Sequence, residues 1–221
     1  MNLSKLTKIF AQAKELSPIP YFCFSFLFHV GLNEMKKILL LILLICIELS
    51  SAQRLTLSSL KLETLDQKFF SLDEIKKNTA SVFIFLLPDC PACQSYSLTL
   101  NQLSKKFESS HIAFYGVFPG DYNTVREMKE YQTRYHINFL LMTDPGKKLA
   151  KSLAAKVVPE AFVVNAEGKI LYRGRIDDWM YAVGKKKPTV TRHELQDALN
   201  AISLHQPIKV AETKAIGCII E

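Results

Sequence analysis

Two cysteines three positions apart are the residues of this sequence whose spacing most clearly indicates chemistry. They are Cys90 and Cys93, in the segment LLPDCPACQSY at residues 86–96. Two thiols at this spacing can form a reversible disulfide, bind a metal ion or make a structural crosslink. A crosslink is disfavoured, because a disulfide between such near neighbours closes a loop too small to stabilise the fold much. A redox couple and a metal site both remain open.

The elements around the cysteines decide how they would be presented. Residues 81–87 are apolar without alternation, which predicts a strand buried on both faces, and a helix is predicted from Pro91 to about residue 109. Cys90 would then lie at the helix N-terminus, where free amides and the helix dipole favour a thiolate. Cys93 lies one turn further, across Pro91 and Ala92. We therefore expect Cys90 to be the exposed nucleophile and Cys93 the more buried, resolving thiol.

A metal site would need more ligands than this pair. Zinc sites of this type use four, and the remaining candidates are scattered: Cys218, His111, His136, His193 and His205. A soft cation such as copper, held by Cys90, Cys93 and either His193 or Cys218, is kept as an alternative. Haem of the c type is excluded, since Gln94 stands where the attachment motif requires histidine. The main interpretation therefore uses no metal and no cofactor.

The rest of the pattern predicts an α/β fold. Strands at 112–118 and 139–142 alternate with helices at 121–135 and 147–155, and a hairpin follows at 161–164 and 170–173. Two capping boxes, at residues 71–74 and 191–194, predict helix starts. Because strand and helix alternate before an antiparallel pair, we expect a three-layer sandwich with a central mixed sheet and helices on both faces.

The N-terminal region resembles a targeting segment. Residues 35–52 combine Met35 and two lysines, an apolar stretch and a small-residue cleavage pattern that ends at Ala52. We interpret residues 1–34 as an upstream extension or a mis-called start, and 35–52 as a signal peptide or membrane anchor. Residues 53–205 would form the domain, and 206–221 a C-terminal tail. The expected location is exported, periplasmic or extracytoplasmic, and membrane-bound only if the N-terminal segment is retained.

The net charge and the number of cysteines limit the classes of molecule that the protein is expected to bind. The net charge is +7, but the basic residues are scattered apart from the short run Lys185 to Lys187, so nucleic-acid binding is not expected. Cleavage after Ala52 would leave three of the five cysteines. An odd number in an exported chain implies one thiol that is unpaired, shared or chemically active. Cys218 is thus a possible third thiol, beside Gly217, which permits close backbone approach.

A strand, the sequence CPAC, a helix and then Pro159 directly before a hairpin resemble the thioredoxin-like superfamily. Its redoxin branch, related to alkyl hydroperoxide reductase and thiol-specific antioxidant proteins, is most similar. The tail resembles peroxiredoxin-like redoxins that end in a Gly-Cys element. The resemblance implies a cis peptide bond before Pro159, packed against the cysteines, and a partner edge at the Val158 backbone. Pro91, Ala92 and Val158 are the implied substrate-binding residues, and Cys90, Cys93 and Pro159 the catalytic ones.

The sequence departs from those families at three positions. Leu87 stands where peroxiredoxins carry a peroxide-binding Thr or Ser. Asp89 places a carboxylate beside Cys90, which should oppose thiolate formation. Ile84 replaces the acidic residue that thioredoxin buries beneath its disulfide, so Glu160 is a candidate for proton transfer to Cys93.

The function expected from the sequence is thiol-disulfide exchange by an exported enzyme, through a mixed disulfide on Cys90 that Cys93 resolves. The partners would be protein thiols or disulfides and an upstream redox protein. A thiol peroxidase is the alternative within the same superfamily, and its mark would be Arg173 or Arg175 directed at Cys90.

Overall fold

The computed structural model describes residues 60–221 and the single residue Lys37. The expected extension at 1–34 and the signal segment at 35–52 lie, apart from Lys37, outside the described residues. None of the helices that the structure describes has both the length and the hydropathy of a membrane span. The described residues 60–221 belong to one compact unit, which includes the C-terminal tail.

A seven-stranded mixed sheet forms the centre of the fold, as the sequence predicts. Its strands are β1 Lys61–Thr64, β2 Phe69–Ser71, β3 Ala80–Phe85, β4 Ile112–Pro119, β5 Leu140–Asp144, β7 Glu160–Val164 and β8 Ile170–Gly174. Their order in the sheet is β2-β1-β5-β4-β3-β7-β8. Strands β3, β4 and β5 are parallel to one another, and the pairs β1–β2, β1–β5, β3–β7 and β7–β8 are antiparallel.

Among residues 60–221, four α-helices pack against this sheet and make the expected α/β sandwich. They are α1 Pro91–Phe107, α2 Val125–Arg134, α3 Lys148–Leu153 and α4 Glu194–Ser203. Short 3-10 helices cover Leu72–Lys77 and Glu108–Ser110. The remaining strands are short: β6 Val157–Val158, β9 Met180–Ala182, β10 Lys185–Lys186 and β11 Cys218–Ile219.

Strand β3 directly precedes the turn that contains Cys90 and leads into the helix that contains Cys93. All six of its residues are buried, in agreement with the apolar run in the sequence. Its neighbours are β4 on one side and β7 on the other, so both edges of the strand are hydrogen-bonded. The turn that follows it is therefore attached to the most central part of the sheet.

The first of the two predicted capping boxes opens a short helix, as the sequence predicts. The Ser71 hydroxyl accepts a bond from the Asp73 amide, and the helix that follows is of the 3-10 type. At the second site α4 begins after His193, which makes no side-chain cap. Thr191 instead donates its hydroxyl to Asp178, because that buried carboxylate gathers several donors from this loop. The complete capping box of the described chain joins Thr124 and Glu127 at the start of α2.

Candidate functional site

Cys90 is the N-cap residue of helix α1, as the sequence predicts. Pro91 takes the first helical position, where its lack of an amide proton costs no hydrogen bond. The turn is held by two bonds, from the Cys90 amide to the Leu87 carbonyl at 3.2 Å and from the Gln94 side-chain amide to the Pro88 carbonyl at 2.8 Å. The Cys90 sulfur is thus fixed at the positive end of a seventeen-residue helix.

Cys90 is bonded to Cys218. The two Cα atoms are 6.3 Å apart, and 128 positions separate the residues in sequence. The expected pairing of Cys90 with Cys93 is therefore wrong for this structure, in which Cys93 is a free thiol. The physical reason is the position of the tail, which brings Cys218 over the helix N-terminus while Cys93 faces inward.

The exposure expected for Cys90 is also absent. Its exposed fraction is 2%, because the tail covers it, and that of Cys93 is 0%. Pro91 lies at the surface beside them, but Ala92 is buried in the hydrophobic core. Of the two residues between the cysteines, only Pro91 is placed to contact a partner.

Cys93 is held as a neutral thiol. Burial is the main cause that raises its pKa to about 12, and the negative charge of Asp89 adds to the increase. The Leu87 amide donates to its sulfur at 3.4 Å, which acts in the opposite direction but more weakly. Since the thiolate is the nucleophile, the protonated Cys93 thiol is a poor one.

A small polar cluster behind Cys93 was not foreseen from the sequence. The hydroxyls of Ser97 and Tyr131 both donate to the Cys93 carbonyl, at 3.0 Å and 3.2 Å, and lie 2.9 Å from each other. Burial raises the pKa of Tyr131, and a charge on Cys93 would raise it further. Tyr131 belongs to α2, so this cluster connects helix α1 to helix α2. Its members are common residue types with no motif, and only the folded chain brings them together.

The cis peptide bond expected before Pro159 is present between Val158 and Pro159. The Val158 carbonyl oxygen lies 3.5 Å from the Cys90 sulfur. In the disulfide that sulfur has no proton to donate, so the contact is packing. A reduced Cys90 thiol at the same place could donate to this carbonyl.

The edge expected to receive a partner is occupied by the chain's own tail. Strand β11 pairs antiparallel with β6, with Cys218 opposite Val158 and Ile219 opposite Val157. The pairing continues as the Ile220 amide donates to the Lys156 carbonyl at 3.0 Å. The Lys147 amino group and the Tyr122 hydroxyl both donate to the main-chain oxygen of Glu221.

The tail is attached to the sheet a second time, further upstream. Arg173 and Thr213 are joined by a backbone bond of 3.0 Å, and the Arg173 amide donates to the Ala211 carbonyl at 3.0 Å. The Thr213 hydroxyl accepts from the Arg175 amide and is bonded to the Tyr172 hydroxyl. Gly174, at φ +135°, has no room for a Cβ because of Thr213. The tail therefore follows the edge of β8 before it reaches β6.

The remaining sequence candidates are engaged elsewhere. Arg173 pairs with Glu212, and Arg175 with the buried Glu194, so these bonds direct neither guanidinium to Cys90. Glu160 accepts from the amides of Lys156 and Val157 and holds the start of β6; no contact joins it to Cys93. Within the described part of the chain, no three residues of His, Cys, Asp or Glu form a group that could hold a metal ion.

Comparison with models of protein families assigns the chain to a family. The AhpC/TSA family model matches residues 54–173. The chain is a member of the AhpC/TSA family. The matched segment contains Cys90, Cys93 and Pro159, and ends before the tail that carries Cys218. No curated protein sequence matches the chain.

Solved structures show the same thioredoxin-like fold. A hypothetical protein from Sinorhizobium meliloti 1021 has a TM-score of 0.66 and 22% identity, over 73% of this chain and 89% of the other. The dsbF protein of MTB, solved in mixed oxidized and reduced forms, has a TM-score of 0.50 and 20% identity, over 68% and 97%. The bacterioferritin comigratory protein of Xanthomonas campestris, whose structure was determined to study alkyl peroxide reduction, has a TM-score of 0.50 and 17% identity. The match covers 67% of this chain and 93% of the other.

Proposed function

We propose that this protein is an exported thiol-disulfide oxidoreductase in which Cys90 carries every exchange. The observation that supports it most is the Cys90–Cys218 disulfide at the N-terminus of α1, beside the buried Cys93 thiol. A sulfur fixed at this position, with two further sulfurs within its reach, is suited to pass a disulfide from one partner to another. Membership in the AhpC/TSA family agrees with redox chemistry at Cys90.

The protein reduces a partner disulfide in two steps. The Cys90 thiolate attacks one sulfur of a partner disulfide, and the other partner sulfur leaves as a thiolate that takes up a proton. The Cys218 thiolate then attacks Cys90 and releases the second partner sulfur. The partner has gained two electrons and two protons, and the chain has formed the Cys90–Cys218 disulfide. A dithiol reductant then reduces the Cys90–Cys218 disulfide to two thiols, becomes oxidised itself and regenerates the enzyme. When the same steps run in the opposite direction, the Cys90–Cys218 disulfide oxidises a partner dithiol.

Cys218 is a better resolving thiol than Cys93 in this arrangement. The backbone bonds of residues 211 and 213 to Arg173 keep the tail near Cys90 even when a partner occupies the β6 edge, whereas burial keeps the Cys93 thiol protonated. Cys93 then acts second, by attack on Cys90 to give a Cys90–Cys93 disulfide and a free Cys218. The role expected for Cys93 from the sequence is thus divided between two residues.

Cysteine variants of the full chain test this proposal. The Cys93→Ser, Cys218→Ser double variant, reduced and mixed with a disulfide-containing protein substrate, should accumulate a mixed disulfide on Cys90. The Cys218→Ser single variant should accumulate more adduct than Cys93→Ser, because the faster resolving thiol is missing. The matched control is Cys90→Ser, which should form none. Adducts through Cys93 in the Cys90→Ser variant, or no adduct in the double variant, would overturn the proposal.

A thiol peroxidase is the second candidate. It is favoured by the same disulfide, because a sulfenic acid formed on Cys90 by a peroxide would condense with Cys218 and release water. Two features argue against a peroxidase: Leu87 has no hydroxyl, and both arginines considered from the sequence, Arg173 and Arg175, are paired with glutamates. The reduced enzyme should consume hydrogen peroxide or an alkyl hydroperoxide no faster than a free thiol of ordinary pKa. A much faster reaction would favour the peroxidase.

A further inference from the structure

Gly217 lies so close to strand β6 that no side chain fits at its position. A Cβ placed there would overlap the Val158 carbonyl oxygen and carbon, and would lie 3.2 Å from the Pro159 nitrogen. Real Cβ atoms do not approach a backbone so closely, and neither group can move, because Val158 is fully buried and bonded into its strand pair.

Position 217 requires glycine because a side chain would overlap strand β6, and not because the backbone there has a positive φ. Gly217 is absent from the positive-φ glycines of the described chain, so its φ is open to ordinary residues. An extended strand places successive side chains on opposite faces. The requirement therefore falls on one position only, the residue directly before the exchanging cysteine.

The positions on either side of Gly217 and Cys218 are less restricted in the side chains they can accept. Ile219 is 73% exposed, so the residue after the cysteine points into solvent. Ile216 and Ile220 are half-buried and pack against the core. The tail thus contacts the edge through backbone bonds, one cysteine, one glycine and two apolar side chains.

We propose that the β6 edge is a peptide-binding site that selects strands with glycine directly before the reacting cysteine, and that the tail is its resident ligand. The proposal rests on the proposed exchange function, and adds to it the substrate class. The Val158 carbonyl is the specificity-determining group, because it is the atom that a larger residue would strike. A partner strand must displace β11 before it can bind, so the tail and the partner compete for one edge.

The test uses the full-length Cys93→Ser, Cys218→Ser variant and two capped peptides. One peptide has the sequence of residues 214–221, KAIGCIIE, and the other the same sequence with Gly217→Ala. Each cysteine is capped with thionitrobenzoate, which leaves when Cys90 attacks the peptide sulfur, so its release measures the rate and a stable mixed disulfide remains. Rates are divided by those of each peptide with free dithiothreitol, which removes any difference in intrinsic reactivity.

The glycine peptide should react about tenfold faster or more, since forcing an extra methyl group into a packed contact carries a penalty of that size. Adding Gly217→Ala to the protein's own tail should accelerate this reaction, because the competing strand is weakened. Gly146→Ala is the matched control and should change nothing, since its Cβ would meet only the Lys148 side chain, at 3.5 Å or more.

Capped glutathione separates failure of this inference from failure of the proposed function. If Cys90 reacts with capped glutathione and with both peptides at equal normalised rates, glycine selection is wrong while exchange at Cys90 stands. If Cys90 reacts with none of the three probes, both proposals fall. A tail Gly217→Ala change that leaves the peptide rate unaltered would contradict the competition between tail and partner.

Discussion

At the scale of single residues, the reactivity of this site is set by what surrounds each sulfur. Cys90 lies at a helix N-terminus, which stabilises a thiolate, but its sulfur is bonded and covered. Cys93 lies one turn further and is fully buried, which keeps its thiol protonated. Two cysteines of one motif therefore have opposite electrostatic environments.

The pH dependence of internal exchange follows from the raised pKa of Cys93. Conversion of the Cys90–Cys218 disulfide to Cys90–Cys93 requires the Cys93 thiolate, whose fraction grows about tenfold per pH unit below a pKa of about 12. The rate should therefore rise steadily from about pH 7 to about pH 10. Alkylation of samples quenched with acid, followed by mass spectrometry, measures it. A plateau by about pH 9 would show an ordinary thiol at this position.

Some of the site could be predicted residue by residue. The CPAC spacing after an apolar run predicts Cys90 at a helix start, and the resemblance to the thioredoxin-like superfamily implies the cis bond before Pro159; the structure contains both. Cys218 could be identified as a candidate, but its pairing could not. Which of three sulfurs meet depends on long-range packing, and the spacing of two of them carries no information about the third.

At the scale of elements, the decisive feature is the tail as an added strand. Residues 211–221 follow the edge of β8 and then pair with β6. Each segment is short, so its position depends on a few contacts with the sheet, and the Thr213 hydroxyl makes two of them. Exchange at Cys90 should depend on these contacts even though they lie away from the sulfurs.

Replacing Thr213 by Val should weaken tail docking without touching a cysteine. The side chain keeps its shape but leaves the Arg175 amide without its acceptor, a loss of about 1–2 kcal/mol or roughly tenfold. In a Cys93→Ser background, the equilibrium of the Cys90–Cys218 disulfide with glutathione should shift towards the reduced form by that factor.

Glu212→Gln is the control for this change. It removes the neighbouring ion pair with Arg173, which is exposed enough to contribute less than about 1 kcal/mol. The disulfide equilibrium should therefore change much less than in the Thr213 variant. Small and equal shifts in both variants would show that the tail is held by the disulfide alone.

The sequence predicted the main elements better than their ends. The buried strands and the long helix were clear, because apolar runs and helical spacing each have a strong period. Of the two capping boxes, the one at Ser71 opens a short 3-10 helix as predicted, whereas Thr191 in the second bonds to Asp178 and does not cap α4. Local motifs of two polar residues are easily diverted when a buried carboxylate offers stronger bonds. Strand β11 is too short to be recognised from its own residues.

At the scale of the whole molecule, an AhpC/TSA domain has the edge at strand β6 covered by a segment outside the family match. The match ends at residue 173, and the tail follows helix α4. The thioredoxin-like domain was predictable from its order of strands and helices. Its closure by the tail was not, because nothing in the tail sequence specifies the surface to which it binds.

Export remains a prediction of the N-terminal sequence. Cleavage after Ala52 would leave Gln53 as the first residue and three cysteines in the mature chain. Mass spectrometry of the protein isolated from cells that express the complete reading frame should find this N-terminus outside the cytoplasm. A protein that keeps residues 1–34 would show that both the assigned start and the cleavage site are wrong.

The most direct test of the account is a map of every disulfide formed by the full chain across a series of glutathione redox buffers. Samples are quenched with acid, alkylated and digested, and tandem mass spectrometry assigns each free thiol. We predict that every intramolecular disulfide formed among Cys90, Cys93 and Cys218 includes Cys90, with Cys90–Cys218 as the main oxidised species and Cys93 alkylated. A Cys93–Cys218 disulfide with Cys90 free, or all three of these thiols free in the most oxidising buffer, would contradict it.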